Sequence, residues 1–447
     1  MKSRKKWMVA GAALVLLLSG FVSPKATFAA KVTAESTFTD FAFNGNWGFL
    51  GDGYTVISYQ DHMYVPARFV AEQMGADVSW DEATQTVRFQ SGKGSTISPP
   101  ATYQPAKGAI TVDTRGVRFV FDGQEKKLDE GYVAISYQDH VYVPARFVAE
   151  NLGALVQWSE SDRLVNIVSL PESNGLAWLQ AFAAKHPGEL IGAVKSGIKF
   201  SSTGDAYTAV VTRKEGHVPD GVYFVKSDGS ETKLQSKFET GATIQTVAQG
   251  EQTLTLISGG AGMHGMWLSA YSLGDGGKPV EVENFFGDIR ADVFTLDGKL
   301  KVVVSSRDYD ATGSSKEELY EYNPASHAFD KLAAYTNEYT KGAYQNPDAG
   351  AYDTLWQMRG YYAGDEGGGI PNEWNSHAAQ TMNAAIPKLS WLKEPVNRSD
   401  LRVLTTVQDS TADKKTYRYT QGDHSVGITL VQVQGKGWVV DTIDPEM

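Results

Sequence analysis

The chain has 447 residues, a formal net charge of −11 at pH 7 and no cysteine. The lack of cysteine excludes a disulfide framework, a thiolate metal site and a cysteine nucleophile. The acidic balance predicts that nucleic acid is not a partner and that anionic lipid is not one either, because both would repel the protein.

The first 29 residues have the pattern of an export signal. Four basic residues precede the apolar run Trp7–Leu18, which is short for a membrane span, and small residues at Thr27 and Ala29 suit a cleavage site. We predict a signal peptide at residues 1–29, with no integral membrane segment after its cleavage; an uncleaved anchor is the alternative. Cleavage would remove five basic residues and no acidic one, taking the charge from −11 to −16.

Residues Tyr54–Phe89 recur as Tyr132–Ile167 at a constant offset of 78, with 22 of 36 positions identical. Each copy predicts two short strands around a Gln-Asp-His turn, a short helix that begins at a proline and closes at a glycine, and a hairpin. One such unit is too small to bury its apolar stripe alone, so the two copies are expected to share a core. Whether they form one domain or two stays open.

The pattern Tyr-Val-Pro-x-Arg-Phe-Val-Ala-Glu-x-x-Gly-Ala-x-Val-x-Trp occurs at Tyr64–Trp80 and at Tyr142–Trp158. It resembles the copper amine oxidase N-terminal-like (stalk) domain, which is often found in tandem in exported proteins of Gram-positive bacteria. The resemblance covers about residues 36–170 and implies two copies, at 36–91 and 108–170, each with an antiparallel sheet packed on a helix. We assign a structural role to its signature residues, which are Pro66, Arg68, Phe69, Glu72, Gly75, Trp80, Pro144, Arg146, Phe147, Glu150, Gly153 and Trp158.

The same resemblance does not imply amine oxidase activity. In the oxidases this module carries neither the copper nor the quinone, and the enzymes need an Asn-Tyr-Asp/Glu sequence and a His-x-His pair. None of the eight histidines here forms such a pair, and Asn337-Glu338-Tyr339 has the wrong order. We reject amine oxidase activity and predict no catalytic residue, no cofactor and no metal ligand.

The remaining chain predicts two further regions after a Gly-, Ser- and Pro-rich connection at residues 91–105 and a boundary near residues 171–175. Residues 176–335 predict a helix at Leu176–Lys185 and then three blocks spaced by roughly 45 residues, a spacing typical of propeller blades. Three blocks do not close a propeller, so the prediction is a β-rich domain. Residues 350–447 predict an α+β module with a helix at Ala378–Ile386 and four strands. The predicted fold class is therefore α+β: tandem sheet-plus-helix repeats, a β-rich domain and a C-terminal α+β meander.

Three groups of residues are candidate binding sites, each with a structural alternative. Asp61-His62 and Asp139-His140 suggest a paired metal site, but each pair lacks further ligands nearby, so a solvated hairpin turn is favoured. The run from Asp308 to Gly313 begins like a calcium loop but has Leu319 where a bidentate acid is required. Tryptophans are more often core than sugar-stacking residues, and the candidates for stacking are Trp47, Trp267, Trp356, Trp374 and Trp391.

The sequence gives only weak signs of a catalytic site. The glycine-rich run that contains His264 lacks a nucleophile motif, and the carboxylates of residues 364–369 lie on a glycine-rich loop rather than on a rigid frame. We therefore predict a secreted or cell-envelope-associated, noncatalytic protein of a Gram-positive bacterium, in which the stalk repeats position or anchor the β-rich part. Its partner would be a cell-wall polymer or an extracellular protein. The alternative is an extracellular hydrolase with its active site in residues 198–447.

Overall fold

The computed structural model describes residues 30–51, 54–93, 108–262, 265–308, 314–338, 343–363, 376–393 and 401–447. The predicted signal peptide lies outside these residues. Of the described residues, 58% lie in strands and 14% in helices, so the fold is mostly β and the α+β prediction is wrong. The helix of each repeat does form, but it is only seven residues long, and the strands around it join into larger sheets that dominate the architecture.

The two repeats begin earlier than their sequence identity indicates. The elements of the first unit are β1 (Ala30–Thr37), β2 (Asp40–Phe43), β3 (Asn46–Gly48), β4 (Val56–Tyr59), β5 (His62–Pro66), α1 (Ala67–Gln73), β6 (Asp77–Asp81) and β7 (Thr86–Gln90). Those of the second unit are β8 (Gly108–Arg115), β9 (Arg118–Phe121), β10 (Gln124–Lys126), β11 (Ala134–Tyr137), β12 (His140–Pro144), α2 (Ala145–Asn151), β13 (Ala154–Ser159) and β14 (Leu164–Ser169). Corresponding elements lie 78 residues apart, and only the start of β13 and the end of β14 depart from this spacing, by one residue each.

Six of these strands close a barrel in the order β1-β4-β5-β12-β11-β8. The two units meet twice in register, with Val32 opposite Val112 and Val65 opposite Val143. Side chains alternate across each strand, so Tyr64 and Tyr142 fill the barrel interior while Val65 and Val143 pack outward against both helices. The pairing is related by a pseudo-twofold axis, since each contact recurs after exchange of the two units.

The strands outside the barrel cross between the units. Hairpin β6–β7 of the first unit pairs in parallel with β9 of the second, giving the sheet β10-β9-β7-β6, which we call the free sheet. Hairpin β13–β14 of the second unit pairs in parallel with β2 of the first, giving the sheet β13-β14-β2-β3, which we call the docking sheet. Each unit thus completes a sheet of the other, and the two form one interlocked barrel domain.

After helix α3 (Gly175–Lys185) the chain forms two four-stranded antiparallel meanders. The first sheet contains β15 (Leu190–Lys199), β16 (Ala206–Lys214), β17 (Val218–Lys226) and β18 (Glu231–Gln235). The second sheet contains β19 (Thr240–Gln249), β20 (Gln252–Ala261), β21 (Gly265–Leu273) and β22 (Pro279–Gly287). The helix coincides with the predicted one apart from one extra residue at its start.

A nine-stranded sheet, the long sheet, ends the chain with the order β26-β25-β24-β23-β28-β29-β30-β31-β27. Its strands are β23 (Arg290–Leu296), β24 (Lys299–Arg307), β25 (Ser314–Asn323), β26 (Ala328–Glu338), β27 (Ala343–Tyr344), β28 (Arg402–Thr406), β29 (Lys414–Gln421), β30 (His424–Val433) and β31 (Gly437–Asp444). Helices α4 (Pro347–Ala363) and α5 (Ser376–Ala385) pack on it, followed by 3-10 turns at Ile386–Lys388 and Ser390–Lys393. The four predicted strands of residues 401–443 are present, whereas α4 was not predicted.

The sheets stack face to face in chain order, each pair enclosing an apolar core. The docking sheet and α3 pack on the first sheet through Leu155, Val168 and Phe182. Phe200, Phe224 and Ile257 join the first and second sheets, and Leu256, Leu268 and Val302 join the second sheet to the long sheet. Among the described residues, no helix is long and apolar enough to cross a membrane.

Candidate functional site

The repeated Gln-Asp-His sequence forms the tight turn of a two-residue hairpin. Gln60 and Asp61 have φ values of 51° and 61°, and Gln138 and Asp139 repeat them at 48° and 62°. Two consecutive positive φ values are typical of the type I′ turn, which matches the twist of the flanking strands. The turn therefore places His62 and His140 at the first position of β5 and β12.

Each of these histidines contacts an aromatic ring of the other unit. The ring centroids of His140 and Tyr54 lie 4.8 Å apart, and those of His62 and Tyr132 lie 4.6 Å apart. In the part of the chain that the structure describes, no group of three or more His, Cys, Asp or Glu side chains is placed to hold a metal ion. The repeated histidines, which the sequence suggested as a possible paired metal site, thus contact tyrosine rings and help to join the two units.

The contact between His140 and Tyr54 forms part of a cleft of about 340 Å³ beside the free sheet. The first unit contributes Tyr54, Arg68, Trp80 and Glu82 to its lining, and the second contributes Arg115, Asp139 and His140. Neither unit could form this cleft alone, because its two sides come from sequences that meet only through the pseudo-twofold pairing.

Trp80 lies in the cleft lining with 36% of its surface exposed. Its Nε1–H donates a 2.6 Å hydrogen bond to Glu82, which also accepts one of 3.0 Å from Gln85. The hydrogen bonds from Trp80 and Gln85 lower the pKa of Glu82, and the charge of Arg115 adds to the effect. Glu82 is therefore ionised at neutral pH, and it fixes the edge of the indole ring.

The basic groups of the cleft differ in their partners. Arg68 on α1 forms an ion pair of 3.0 Å with Glu72, one helical turn later, and keeps 46% of its side chain exposed. Arg115 is exposed at the end of β8. Burial raises the pKa of the Tyr54 hydroxyl, with Arg68 opposing this shift and Glu72 adding to it. The cleft thus offers aromatic faces together with hydrogen-bonding groups of both charges.

The pseudo-twofold axis places an equivalent set of residues, which we call the counterpart, beside the docking sheet. Trp158 donates a 2.7 Å hydrogen bond to Glu160, and Arg146 pairs with Glu150 at 3.0 Å, as in the first cleft. The position of Arg115 is taken by Thr37 in the counterpart. Thr37 and the Phe38 carbonyl accept hydrogen bonds from Arg163. The counterpart therefore lacks an uncommitted arginine at this position.

The first sheet also contacts the counterpart residues. The Glu160 backbone N–H donates a 3.1 Å hydrogen bond to the Glu215 carboxylate, which lies after β16. The Glu215 carboxylate thus lies next to Glu160, whereas the acidic neighbour of Glu82 is Asp81, the preceding residue of the chain. The cleft and its counterpart share their aromatic and ion-pair contacts but differ in the charged groups around them.

The signature residues occupy two kinds of position. Pro66 and Pro144 end β5 and β12 directly before the helices, and Gly75 and Gly153 close the helices with φ values of 72° and 85°. Phe69 and Phe147 pack edge-on against other phenylalanine rings in the shared core. The remaining signature side chains are on the surface around the clefts, and they are Arg68, Glu72, Trp80, Arg146, Glu150 and Trp158.

Sequence reasoning singled out Arg68 and Trp80 only as structural residues and missed Tyr54, Glu82 and Arg115 as cleft residues. Tyr54 and Glu82 are identical to Tyr132 and Glu160 in the second copy, so the repeat carried a signal for them. Arg115 had none, because β8 lies outside the aligned part of the repeat.

The tryptophans considered as sugar platforms are scattered. Trp47 and Trp356 are 43% and 40% exposed, and Trp267 contacts Phe286 at 4.9 Å between ring centroids. Trp391 is stacked between other rings, 6.2 Å from Tyr419 and 5.4 Å from His424. Trp374 lies outside the described residues, as do His264, residues 364–369 and most of the calcium-loop-like run after Asp308.

The buried and half-buried carboxylates around α4 are bound to cations and phenols. Arg290 on β23 pairs with Glu317 at 2.9 Å and with Asp353 of α4 at 2.5 Å. Tyr344 donates a 3.0 Å hydrogen bond to Asp353, and Tyr352 donates one of 2.8 Å to Asp292. Burial lowers the pKa of Arg290, but the nearby charges of Asp353 and Glu317 raise it well above its usual value. This network fastens α4 to the long sheet.

Comparison with known protein families gave a match that lies within the barrel domain. The family model described as copper amine oxidase N-terminal domain matches residues 52–167, a single match that spans both units. No curated protein matches the chain. Among solved structures, a mutant of the Aleuria aurantia lectin in complex with alpha-methyl-L-fucoside is similar over 93% of this chain and 95% of its own, at 8% identity and a TM-score of 0.20. That similarity is too low to carry an argument about fold or ligand.

Proposed function

We propose that the protein is a secreted or cell-envelope-associated, noncatalytic protein of a Gram-positive bacterium, in which the barrel domain positions the stacked sheets. In this proposal residues 1–29 are a signal peptide, and the two units are tandem copies of the stalk module that have fused into one domain. The partner is a cell-wall polymer or another extracellular molecule.

The observation that carries the proposal is the joint between the docking sheet and the first sheet. Asp162 forms a 2.9 Å ion pair with Arg213 of β16, and both side chains are at least nine-tenths buried. Gln157 accepts a 2.9 Å hydrogen bond from the Ile191 backbone N–H, and Asn166 donates one of 2.9 Å to the Ile191 carbonyl. A joint with a buried ion pair and these amide hydrogen bonds would hold the barrel in a fixed relation to the sheets, as a positioning device requires.

The noncatalytic part of the proposal is supported by the environment of the acids around α4. General acids and nucleophiles must reach a substrate, whereas Glu317, Asp353 and Asp292 are each occupied by an arginine or a tyrosine. The network therefore has the character of a structural brace and does not favour the hydrolase alternative.

Two measurements on the intact protein test the proposal. Mass spectrometry of material exported by a Gram-positive host should give a mature N-terminus at residue 30, and fractionation should find the protein retained on the envelope. Limited proteolysis should leave the connection at residues 170–190 intact in the wild type but cut it in the variant Leu155→Asp, because this change puts a charge into the joint. The control is Asp77→Ala at the matching exposed position of the free sheet.

Retention of the full-length protein in the cytoplasm, or its complete release into the medium with no binding to purified walls, would contradict the localisation. Equal cutting of the connection in the wild type and in Leu155→Asp would contradict the fixed joint.

A further inference from the structure

We propose that the cleft between Trp80 and His140 binds a neutral saccharide segment. This inference deepens the proposed function, on which it rests, by naming the ligand class for the side of the barrel domain that does not contact the sheets. It is carried by the composite lining of the cleft, by its volume and by its balance of charges.

The cleft has the size and composition of a small-ligand site. Its volume of about 340 Å³ lies at the lower end of the range for ligand pockets, which is roughly 300–1,000 Å³. Its rings are held before any ligand arrives, since Trp80 is tied to Glu82 and Tyr54 contacts His140. Preformed rings bind with little loss of conformational entropy.

The combination of groups favours a sugar over other ligands. The faces of Trp80 and Tyr54 suit the apolar C–H face of a pyranose ring, and charged side chains at the rim suit its hydroxyl groups, which both donate and accept hydrogen bonds. An apolar ligand would desolvate Arg115, which forms no ion pair among the described residues, without giving it a partner.

The charge balance argues against a polyanion. Arg68 is already paired with Glu72, Arg115 lies near Glu82, and Asp139 adds another acid to the lining. The whole chain carries a net charge of −11, which would repel a phosphate-rich polymer at long range. An uncharged sugar is not repelled by the net negative charge and does not require unpaired basic groups for binding.

The different charged groups of the cleft and its counterpart predict unequal binding. The first cleft has Arg115, which forms no ion pair among the described residues, while the counterpart has Thr37 together with the additional carboxylate of Glu215. The counterpart lacks the donor that Arg115 supplies, because the nearby Arg163 already donates to Thr37 and to the Phe38 carbonyl. A hydroxyl-rich ligand should therefore bind there more weakly. The chain therefore supplies its own matched control.

The test is calorimetric titration of the purified mature protein with uncharged tetrasaccharides, N-acetylchitotetraose and maltotetraose, and with polyphosphate as the charged probe. We expect saturable binding of at least one tetrasaccharide. Trp80→Ala should weaken it by about tenfold or more because the stacking surface is lost. Trp158→Ala should change it by less than about twofold, since the first cleft stays intact.

A second variant keeps the test decisive if Trp80→Ala disturbs the fold. Arg115→Thr gives the first cleft the residue found in its counterpart at an exposed position, and it should weaken binding by about twofold to tenfold. Circular dichroism and thermal unfolding check that each variant is folded.

Three results would overturn the proposal: no saturable binding of either tetrasaccharide, binding of polyphosphate alone, or equal losses in Trp80→Ala and Trp158→Ala. Binding to soluble tetrasaccharides and to insoluble purified wall glycan can be compared to separate a free sugar from a wall polymer as its source. Because the titration does not depend on export, a cytoplasmic protein that still binds sugar would refute the proposed localisation while leaving the cleft assignment intact.

Discussion

The docking sheet and the free sheet are related by the pseudo-twofold axis, yet one is buried against the rest of the molecule and the other faces solvent. Leu155 and Val168 of the docking sheet are 7% and 0% exposed, while Asp77 and Gln90 occupy the same positions of the free sheet and are exposed. The exposed Arg88 likewise corresponds to the buried Asn166. The two copies therefore have similar residues where they form the shared barrel. They differ at the positions where only the second copy packs against the first sheet.

The difference between the two sheets explains why the joint is specific. Apolar contacts alone would bury surface without fixing the orientation of the docking sheet on the first sheet. The buried hydrogen bonds and the ion pair can form in one orientation only. Gln157, Asp162 and Asn166 replace Ser79, Thr84 and Arg88 of the first copy. The polar substitutions, more than the apolar ones, determine how the barrel meets the first sheet.

The largest expected effect comes from removing the acid at the centre of the joint. Asp162→Ala leaves Arg213 buried without its partner, so we expect the free energy of unfolding to fall by about 3–5 kcal/mol. Denaturant unfolding followed by tryptophan fluorescence measures this. The matched change Thr84→Ala, at an exposed position of the free sheet, should cost less than about 0.5 kcal/mol. Similar losses at both sites would remove the distinction between the two sheets.

A glycine pair gives the next largest difference. Gly45 and Gly123 lie in matching turns with φ values of 82° and 83°, so alanine meets the same backbone strain at both. A Cβ at Gly45 would approach the Gly192 carbonyl oxygen to 2.1 Å, whereas a Cβ at Gly123 would meet nothing within 4 Å. We expect Gly45→Ala to be less stable than Gly123→Ala by about 3 kcal/mol, the upper end for overpacking. Equal melting temperatures of the two variants would show that the backbone around Gly192 shifts to accommodate the added methyl group.

Acid should weaken the joint in a defined range of pH. Burial raises the pKa of Asp162, but hydrogen bonds from Arg213, Ser159 and the Gly216 amide outweigh this and hold the pKa at about 2, below its ordinary 3.8. A depressed pKa stabilises the folded state fully above about pH 4 and progressively less as the pH falls towards 2. The stability difference between the wild type and Asp162→Asn should therefore shrink by on the order of 2 kcal/mol between pH 7 and pH 2. A difference that stays constant with pH would rule out this linkage.

The smallest effect should be the same on both sides of the axis. Arg68–Glu72 and Arg146–Glu150 are exposed ion pairs at i, i+4, each 3.0 Å long. Arg68→Ala and Arg146→Ala should each cost about 0.3–0.5 kcal/mol, and 1 M salt should remove most of the difference from the wild type. Thermal unfolding of both variants measures this. A cost above about 1 kcal/mol at one site alone would mean that the arginine has a further contact there.

Local patterns in the sequence predicted local structure well. The proline start and glycine end of α1 and α2, helix α3 and the four C-terminal strands depend on capping, periodicity and turn residues that lie close together in the chain. Helix α4 was missed because Gly350 and Thr354 interrupt its apolar face, and Asp348 and Asp353 attach it to the sheet through buried polar contacts.

The same local patterns could not predict the contacts between the two units. Strands β1 and β8 share one identical residue in eight, Thr33 and Thr111, so the aligned repeat stopped short of them. Their pairing depends on closure of the barrel, and the cleft depends in turn on that pairing. The repeated histidines and Trp80 were visible in the sequence, but that His140 meets Tyr54 of the other unit follows only from the twofold arrangement.

The crossed sheets affect how the chain can acquire its structure. Phe41 of β2 finds its parallel partner in Val165 of β14, 124 residues later. At about 5–20 residues per second, synthesis of that interval takes roughly 6–25 s. Throughout this time one edge of β2 lacks its partner strand. The nascent first unit is therefore an incomplete sheet with an unpaired edge that could pair with another chain. The chain consequently depends on delayed, long-range closure, and a protein shortened before β14 would keep that edge unpaired permanently.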